Sequence, residues 1–392
     1  MRSCIIIPPS TFLDDYKVFP QLGPYYIKRF VEENSHHTVD VLYDPPFSNL
    51  GQYEVIGFSV TTPQFEYADN LLKNVSPSAI TVLGGPHCKT YDIESNKFTH
   101  VIKEDGCQPF LDILNGKEPR PQNDSNDQLP HRDKSLRDFK YYLDGNPTTV
   151  VITSRGCGRR CAFCEHAGTA IRLKSKEAVQ KEIQECVDLG FTGIMFFDDL
   201  FCLNKKRVKE LCAVIKPFNI KFRCFAHANN FSEEMAQCLS DAGCVEIGYG
   251  AEHISQKILD AVNKNTTTAQ NYAIIKTAHK YGLRVKTFLM VGLPGETHET
   301  AKELELFVLN SGIDDFDVAI YYPFIGTEIT RHPDRYDIII EHDGTDTAYY
   351  KGKLGAATCA VRTSALSKDE IKYWKDRIYS YHKRWRQYPQ PR

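Results

Sequence analysis

Three cysteines fall within eight residues, Cys157-Gly-Arg-Arg-Cys161-Ala-Phe-Cys164, in the pattern C-x3-C-x2-C. The chain holds 13 Cys in 392 residues. Any position is therefore Cys with a chance of about 0.033, which gives about 0.014 chance occurrences of this spacing. Three thiolates do not close a structural zinc site, which takes four ligands. They can hold three irons of a 4Fe–4S cluster and leave the fourth iron open to chelate a small molecule. The alternative is three ordinary buried or surface thiols in a Cys-rich chain.

A run of β-branched residues, Thr148, Thr149, Val150, Val151, Ile152 and Thr153, precedes the cysteines, and Ser154, Arg155 and Gly156 then break the pattern. The cysteines are thus expected on a loop at the carboxyl end of a strand, where α/β proteins place their chemistry. Gly156 and Gly158 relieve the strain of wrapping one loop around one face of a cluster.

The segment TSRGCGRRCAFC resembles the cluster motif of the radical S-adenosylmethionine (radical SAM) superfamily, with Arg-Gly before the first Cys and the aromatic Phe163 before the last. The resemblance implies that Cys157, Cys161 and Cys164 hold a 4Fe–4S cluster whose open iron binds the amino and carboxylate groups of SAM. It also implies that the reduced cluster splits SAM into methionine and a 5′-deoxyadenosyl radical.

Composition narrows the remaining classes. Charged residues are 25% and the formal net charge is −2, which gives no sign of a polyanionic partner such as nucleic acid. No run approaches the ~18 apolar residues of a transmembrane span. The start, MRSCIIIPPS, is too briefly apolar for a signal peptide and reads as a buried first strand. An odd number of mostly isolated cysteines fits a reducing cytosol, so a cytoplasmic location is expected.

Residues 1–117 alternate strand and helix, which implies a parallel, doubly wound (Rossmann-like) sheet. Strands are expected at Cys4–Ile7, Thr38–Tyr43, Val55–Thr62, Ile80–Leu83 and Val101–Lys103, and helices at Gly23–Glu33, Phe65–Val75 and from Phe110. The loops Pro8–Thr11, Ser59–Thr62, Gly84–His87 and Glu104–Gly106 would lie along its carboxyl edge, where such sheets bind ligands. Each can equally be a plain turn. Together, GFSVTT, VLGGPH and EDG before a helix resemble the cobalamin-binding domain that precedes many radical SAM domains. The resemblance implies cobalamin contacts from Ser59, Thr61, Thr62, Gly84, Gly85, Pro86, Glu104 and Gly106. The D-x-H-x-x-G motif that supplies a histidine to cobalt in one class is absent.

Residues 118–147 are polar and rich in Pro, Asp and Asn, a linker by composition. Residues 148–325 carry six strand–helix repeats, too few for a closed eight-stranded barrel. They fit the open partial (β/α)6 TIM-type barrel of radical SAM enzymes. Residues 326–392 form a C-terminal extension with a helix at Ser367–Trp385, read as a small helical cap. Its basic, aromatic YYKGKLG and YWKDRIYSYHKRW segments can alternatively bind RNA.

Several strand ends extend the resemblance. Asp198-Asp199 follows the second strand, where the family holds the SAM amino group, although an Asp there can also cap a helix. Glu252, in GYGAEH, follows the fourth strand, where the family has G-x-E-S; here His253 replaces the Ser. Glu252 is expected on SAM or in a structural ion pair. Gly292, Leu293 and Pro294 resemble the fifth-strand motif near the adenine, with the Phe163 backbone close by. His227 and Asn229 end the third strand and reach either SAM or substrate or only their own loop. Tyr321, Tyr322 and Phe324 end the sixth as pocket or core. Cys359 is a lone thiol, a hydrogen donor or packing.

The expected protein is a radical SAM enzyme, a cobalamin-dependent methyltransferase at an unactivated carbon. One SAM would supply the methyl group by way of cobalamin. A second, at the cluster, would supply the radical that takes a substrate hydrogen. Electrons would come from an external flavodoxin- or ferredoxin-like donor. The alternatives are a cobalamin-independent or non-methylating radical SAM reaction, such as cyclisation or ring rearrangement, and a non-catalytic Fe–S binding module.

Overall fold

The computed structural model describes residues 1–10, 17–45, 47–91, 97–121, 127–341 and 354–387. Thr11, residues 122–126 of the linker and residues 349–353 of the YYKGKLG segment lie outside them. The chain divides into two compact units, Met1–Lys140 and Tyr141–Arg392.

In the first unit, β1 (Arg2–Ile7), β2 (Thr38–Tyr43), β3 (Val55–Ser59), β4 (Ile80–Gly84) and β5 (His100–Val101) form one parallel sheet in the order β2-β1-β3-β4-β5. Alternate residues of each strand feed two cores. Cys4, Ile6, Ile56, Phe58 and Leu83 pack with Ala68 and Leu71 of α2 (Phe65–Leu72). Ile5, Val55 and Val82 pack on the other face with Val31 of α1 (Leu22–Asn34) and Phe110 of α4 (Cys107–Leu114). A short α3 (Pro86–Thr90) stands between α2 and α4 in sequence. The strand order reverses between β1 and β3, so the crevice of this sheet opens beside the loops after those two strands.

The second unit opens with a hairpin, β6 (Tyr141–Leu143) and β7 (Asn146–Val151), so the end of the expected linker belongs to its sheet. Asp144 and Gly145 both adopt positive φ, as a two-residue hairpin turn of the primed type requires. A second, shorter hairpin follows, β8 (Ser154–Arg155) with β9 (Arg172–Leu173). The strands β10 (Gly193–Phe196), β11 (Lys221–Ala226), β12 (Cys244–Glu252), β13 (Arg284–Val291) and β14 (Asp315–Ile320) complete a seven-stranded sheet. Its order is β14-β13-β12-β11-β10-β7-β6, with only β6 antiparallel. Six consecutive parallel strands make the curled half-barrel.

Helices α5 (Lys176–Asp188), α6 (Lys205–Ile215), α7 (Glu233–Asp241), α8 (Gln256–Ala261), α9 (Thr268–Lys280) and α10 (His298–Asn310) connect these strands. Ser175, Asn204, Ser232, Thr267 and Thr297 cap five of them with side-chain oxygens. In β13, Val285, Thr287, Leu289 and Val291 are buried, whereas Arg284, Lys286, Phe288 and Met290 alternate with them and are half-exposed. On the face of the sheet that carries Phe288, Phe197, Phe225 and Phe288 form a row of rings, with centroids 6.0 Å and 5.8 Å apart. Gly248 makes room for it, since a Cβ there would meet Phe225 at 2.9 Å and Phe288 at 3.2 Å.

After β14 come α11 (Glu328–Arg331), a two-strand pair β15 (Ile339–Ile340) and β16 (Val361–Arg362), and α12 (Lys368–Gln387). Thr363 Oγ1 donates to the Glu296 carbonyl at 3.2 Å and ties this extension to the end of β13. Cys359 is buried and its thiol donates to the Val361 carbonyl, which gives it a packing role. Among the described residues no helix is long and apolar enough to cross a membrane.

Candidate active site

The cysteine loop leaves the sheet through β8 and returns through β9, so an antiparallel pair closes its base. Gly156 turns the chain at φ +87°, and a Cβ there would meet the Ala170 carbonyl oxygen at 2.2 Å. Within the loop, Cys157 N–H donates to Thr169 Oγ1 at 2.8 Å and Cys164 N–H to the Cys161 carbonyl at 3.1 Å. The loop is also held from outside. Ala162 N–H donates to the Val262 carbonyl at 2.8 Å, Asn263 Nδ2 to the Arg160 carbonyl at 2.8 Å, and Ile329 N–H to the Ala162 carbonyl at 3.1 Å.

All three thiols are free; Cys161 is buried, and Cys157 and Cys164 are half-buried. They lie close enough for Cys157 to act electrostatically on both of the others. Burial pushes the Cys161 thiol up, with Lys264 opposing, and pushes Cys164 up to about 11, with the His166 backbone opposing. Among the described residues no three His, Cys, Asp or Glu side chains converge as they would on a single metal ion. Zinc needs its sulfurs about 2.3 Å from one point. A cuboidal cluster instead presents separate iron corners to separate thiolates, and three free thiols on one loop are a donor set it can take.

The two aspartates expected on SAM have different surroundings. Asp198 is 2% exposed and accepts from Thr153 N–H at 2.7 Å, Thr153 Oγ1 at 2.5 Å and Ser154 Oγ at 2.7 Å. It joins the ends of β7 and β10, and burial pushes its carboxyl up to about 6 against those three donors. In this structure its oxygens are bonded within the fold. Asp199 instead accepts from Gly156 N–H at 2.8 Å and faces His166 Nδ1 at 3.1 Å. Burial raises its carboxyl, and the His166 bond and charge with the Gly156 N–H more than reverse this, leaving it below the usual range. His166, paired with Asp199 and with Glu165 at 3.5 Å, is raised to about 10 by those two carboxylates. No sequence signal pointed to His166.

Glu252 ends β12 at φ +59°, where the register with β13 shifts. Its Oε1 accepts from Lys264 Nζ at 2.7 Å, and that ammonium also lies 5.8 Å from the Phe163 ring centre. Lys264 is buried and sits between Asn263 and Asn265, both at positive φ. Burial lowers the Lys264 pKa, and the charges of Glu252 and the nearby cysteines more than reverse it. A Cβ on Gly250 would meet Glu252 Oε1 at 2.1 Å, so Gly250 makes room for the pair.

His253, the residue in place of the family's Ser, is fully buried. Ser255 N–H donates to its Nδ1 at 3.0 Å, so Nε2 carries the proton and donates to Glu296 Oε1 at 3.1 Å. The other Glu296 oxygen accepts from Gly292 N–H. Gly292, Leu293 and Pro294 are themselves buried. A Cβ on Gly292 would meet Ile371 of α12 at 3.1 Å. On that side Gly292 packs against α12. His227 is buried, faces Asn229 Oδ1 at 3.1 Å through Nδ1, and its Nε2 has no hydrogen-bond partner among the described residues. Tyr321 and Tyr322 are buried, as core residues are.

In the first unit, the expected cobalamin residues lie along the carboxyl edge of the sheet. Ser59, Thr61, Thr62, Gly84 and Gly85 are half-buried, and Pro86 and Glu104 are exposed. Strand β3 stops at Ser59, and Thr61 with Gln64 forms a capping box in place of the strand expected to Thr62. Gln64, fully buried, donates to the Pro8 carbonyl at 2.6 Å and Ser10 Oγ at 3.1 Å, joining the two loops that flank the crevice. Two glycines are closely packed. A Cβ on Gly85, at φ +99°, would meet Val60 backbone atoms at 2.6 Å, and one on Gly106 would meet Ile27 Cδ1 at 2.9 Å. His87 is stacked between Phe65 and Tyr91, with centroids at 4.3 Å and 4.7 Å, and burial lowers it to about 4.

A parallel half-barrel with three free thiols on the loop after its first parallel strand is the arrangement of a radical SAM core. Residues 151–308 match the model of the radical SAM superfamily. An uncharacterized methyltransferase of Pyrococcus horikoshii is 28% identical over 380 residues, covering 85% of this chain and 83% of that protein. The bacteriochlorophyllide d C-8(2)-methyltransferase of Chlorobaculum tepidum is 25% identical over 336 residues, covering 78% and 72%. The fold is similar to that of the radical SAM methyltransferase TsrM from Kitasatospora setae, solved with cobalamin and a 4Fe–4S cluster bound. The TM-score is 0.66 at 14% identity, covering 85% of this chain and 78% of that one. The match places a radical SAM domain at residues 151–308 of this chain.

Proposed function

We propose that this protein is a cobalamin-dependent radical SAM C-methyltransferase acting at an unactivated carbon. The observation that carries the radical part is the set of three free thiols of Cys157, Cys161 and Cys164 on a loop closed at its base. The methyl-transfer part is supported by the names of the relatives and by the first unit, whose 2-1-3-4-5 strand order opens a crevice at β1 and β3.

Cys157, Cys161 and Cys164 would hold three irons. Asp199 and Glu252, the carboxylates at the loop and at the end of β12, would take cationic groups of SAM. Phe163 would offer its backbone to the adenine. In the first unit Ser59, Thr61, Thr62, Gly84, Pro86 and Glu104 would line the cobalamin crevice. When bound, the cluster supplies the electron that cleaves SAM and cobalamin supplies the methyl carrier. The electron itself would come from an external flavodoxin- or ferredoxin-like donor.

The test is anaerobic reconstitution with iron, sulfide and hydroxocobalamin, followed by desalting, a visible spectrum and an assay for 5′-deoxyadenosine after dithionite and SAM. Wild type should retain cobalamin and form 5′-deoxyadenosine, and Cys161→Ala should form none. Loss of cobalamin on desalting with 5′-deoxyadenosine still formed would remove the methyl-transfer half. An intact cluster with no 5′-deoxyadenosine, across a panel of candidate methyl acceptors, would remove the radical half.

A further inference from the structure

A cleft of about 490 Å³ opens beside the cysteine loop, reaching Gly158 between the first two cysteines. Its lining combines Ile171, Leu200 and Leu203 with Arg159, Arg160 and Lys264, and among the described residues no Asp or Glu lines it. The three cations are not equivalent. Glu252 matches the charge of Lys264 at 2.7 Å. Arg159 is held by a neutral group: its Nη2 donates to Asn229 Oδ1 at 2.7 Å, and Asn229 Nδ2 donates in turn to the Asn265 carbonyl at 2.8 Å. An amide fixes the direction of a guanidinium without neutralising it. Neither Arg159 nor Arg160 forms an ion pair among the described residues.

Two uncompensated guanidinium groups beside apolar side chains suit a ligand with an anionic head and an apolar body. Guanidinium groups match carboxylate and phosphate oxygens through paired N–H donors. SAM brings a carboxylate of its own, but its sulfonium and ammonium find no acidic partner in this wall.

We propose that this cleft binds the substrate, and that the substrate is an amphipathic organic anion. Its carboxylate or phosphate pairs with Arg159 and Arg160, and its apolar body lies against Ile171, Leu200 and Leu203. The assignment rests on the radical SAM reading, since nearness to the cysteine loop is what makes a ligand here a substrate.

The experiment is anaerobic titration calorimetry of the cluster-reconstituted full chain with three probes: decanoate, decyl phosphate and 1-decanol. At least one anion should bind one to one and about tenfold more tightly than the alcohol, equivalent to 1.4 kcal/mol. Binding should weaken from roughly 50 to 500 mM salt and persist with SAM saturating. The tighter anion identifies the head group as carboxylate or phosphate. The double variant Arg159→Gln/Arg160→Gln should lose about tenfold in anion affinity and little for decanol. The proposal fails if neither anion binds, if decanol binds as tightly, if SAM displaces the anion, or if the double variant binds it like wild type. Anion binding with no 5′-deoxyadenosine formed would support this ligand class and remove the radical reading instead.

Discussion

Asp198 and Asp199 are adjacent in the chain but serve different structures. Asp198 accepts three hydrogen bonds from Thr153 and Ser154 inside the sheet, whereas Asp199 spans the cysteine loop from Gly156 N–H to His166. Removing one carboxylate should therefore damage the fold, and removing the other should damage the loop.

Asp198→Ala leaves three donors without their acceptor in a buried place, each costing about 1 kcal/mol or more. The expected loss is about 3 kcal/mol, read as a lower urea midpoint for cluster-free protein. Asp199→Ala should move that midpoint by less than about 1 kcal/mol, because its carboxylate is partly exposed. It should nevertheless lower the iron and sulfide retained per chain after reconstitution. Equal midpoints for the two variants would show that the division of roles is wrong.

The His253–Glu296 pair gives a second prediction. His253→Ser restores the residue common in the family but removes the Nε2–H donor to Glu296 and the Nδ1 acceptor for Ser255 N–H. A buried carboxylate that loses a partner costs about 3 kcal/mol. The urea midpoint of the second unit should fall accordingly, and His253→Gln should recover part of it by supplying an N–H. If Ser is tolerated without loss, the buried pair is dispensable.

Gly85 allows a test of the first unit alone. A side chain there would have to adopt φ +99° and would meet Val60 backbone atoms. Strain of about 1–2 kcal/mol from the left-handed backbone adds to the steric overlap. Gly85→Ala should destabilise the protein by about 2–4 kcal/mol and reduce cobalamin retention. Gly84→Ala, whose Cβ would meet its nearest atom only at 3.9 Å, should cost far less. Matching losses would mean that the loop packing around Val60 is not what selects glycine.

His87 sets a pH dependence. Its pKa falls from an ordinary value of about 6.5 to about 4 because burial between Phe65 and Tyr91 disfavours the cation. The folded chain therefore binds fewer protons than the unfolded chain between these values. Stability is unaffected above pH ~6.5 and falls as pH drops toward ~4. Urea midpoints of cluster-free protein across that range should show the decline, and His87→Phe should flatten it. A wild-type profile that stays flat over the window would contradict the burial of a neutral His87.

The local signals in this chain were strong where a feature is short-range. The three-cysteine spacing singled out the loop that β8 and β9 close, and the alternation of strands and helices was enough for the two parallel sheets, because apolar periodicity and turn residues act over a few positions. The Asp144-Gly145 hairpin was missed, because the polar composition around it pointed to a linker. What the sequence could not express was which side chains meet. Whether Asp198 or Asp199 faces the loop depends on how β7 and β10 pair, and only the sheet brings Thr153 to residue 198. That Val60 and Ile371 pack against Gly85 and Gly292 from 25 and 79 positions away was not visible in the sequence. His166, Lys264 and the pairing of His253 with Glu296 were silent in one dimension for the same reason. A side chain's role is set by the partners it desolvates against, and those partners come from strands and helices that are neighbours only in the folded chain.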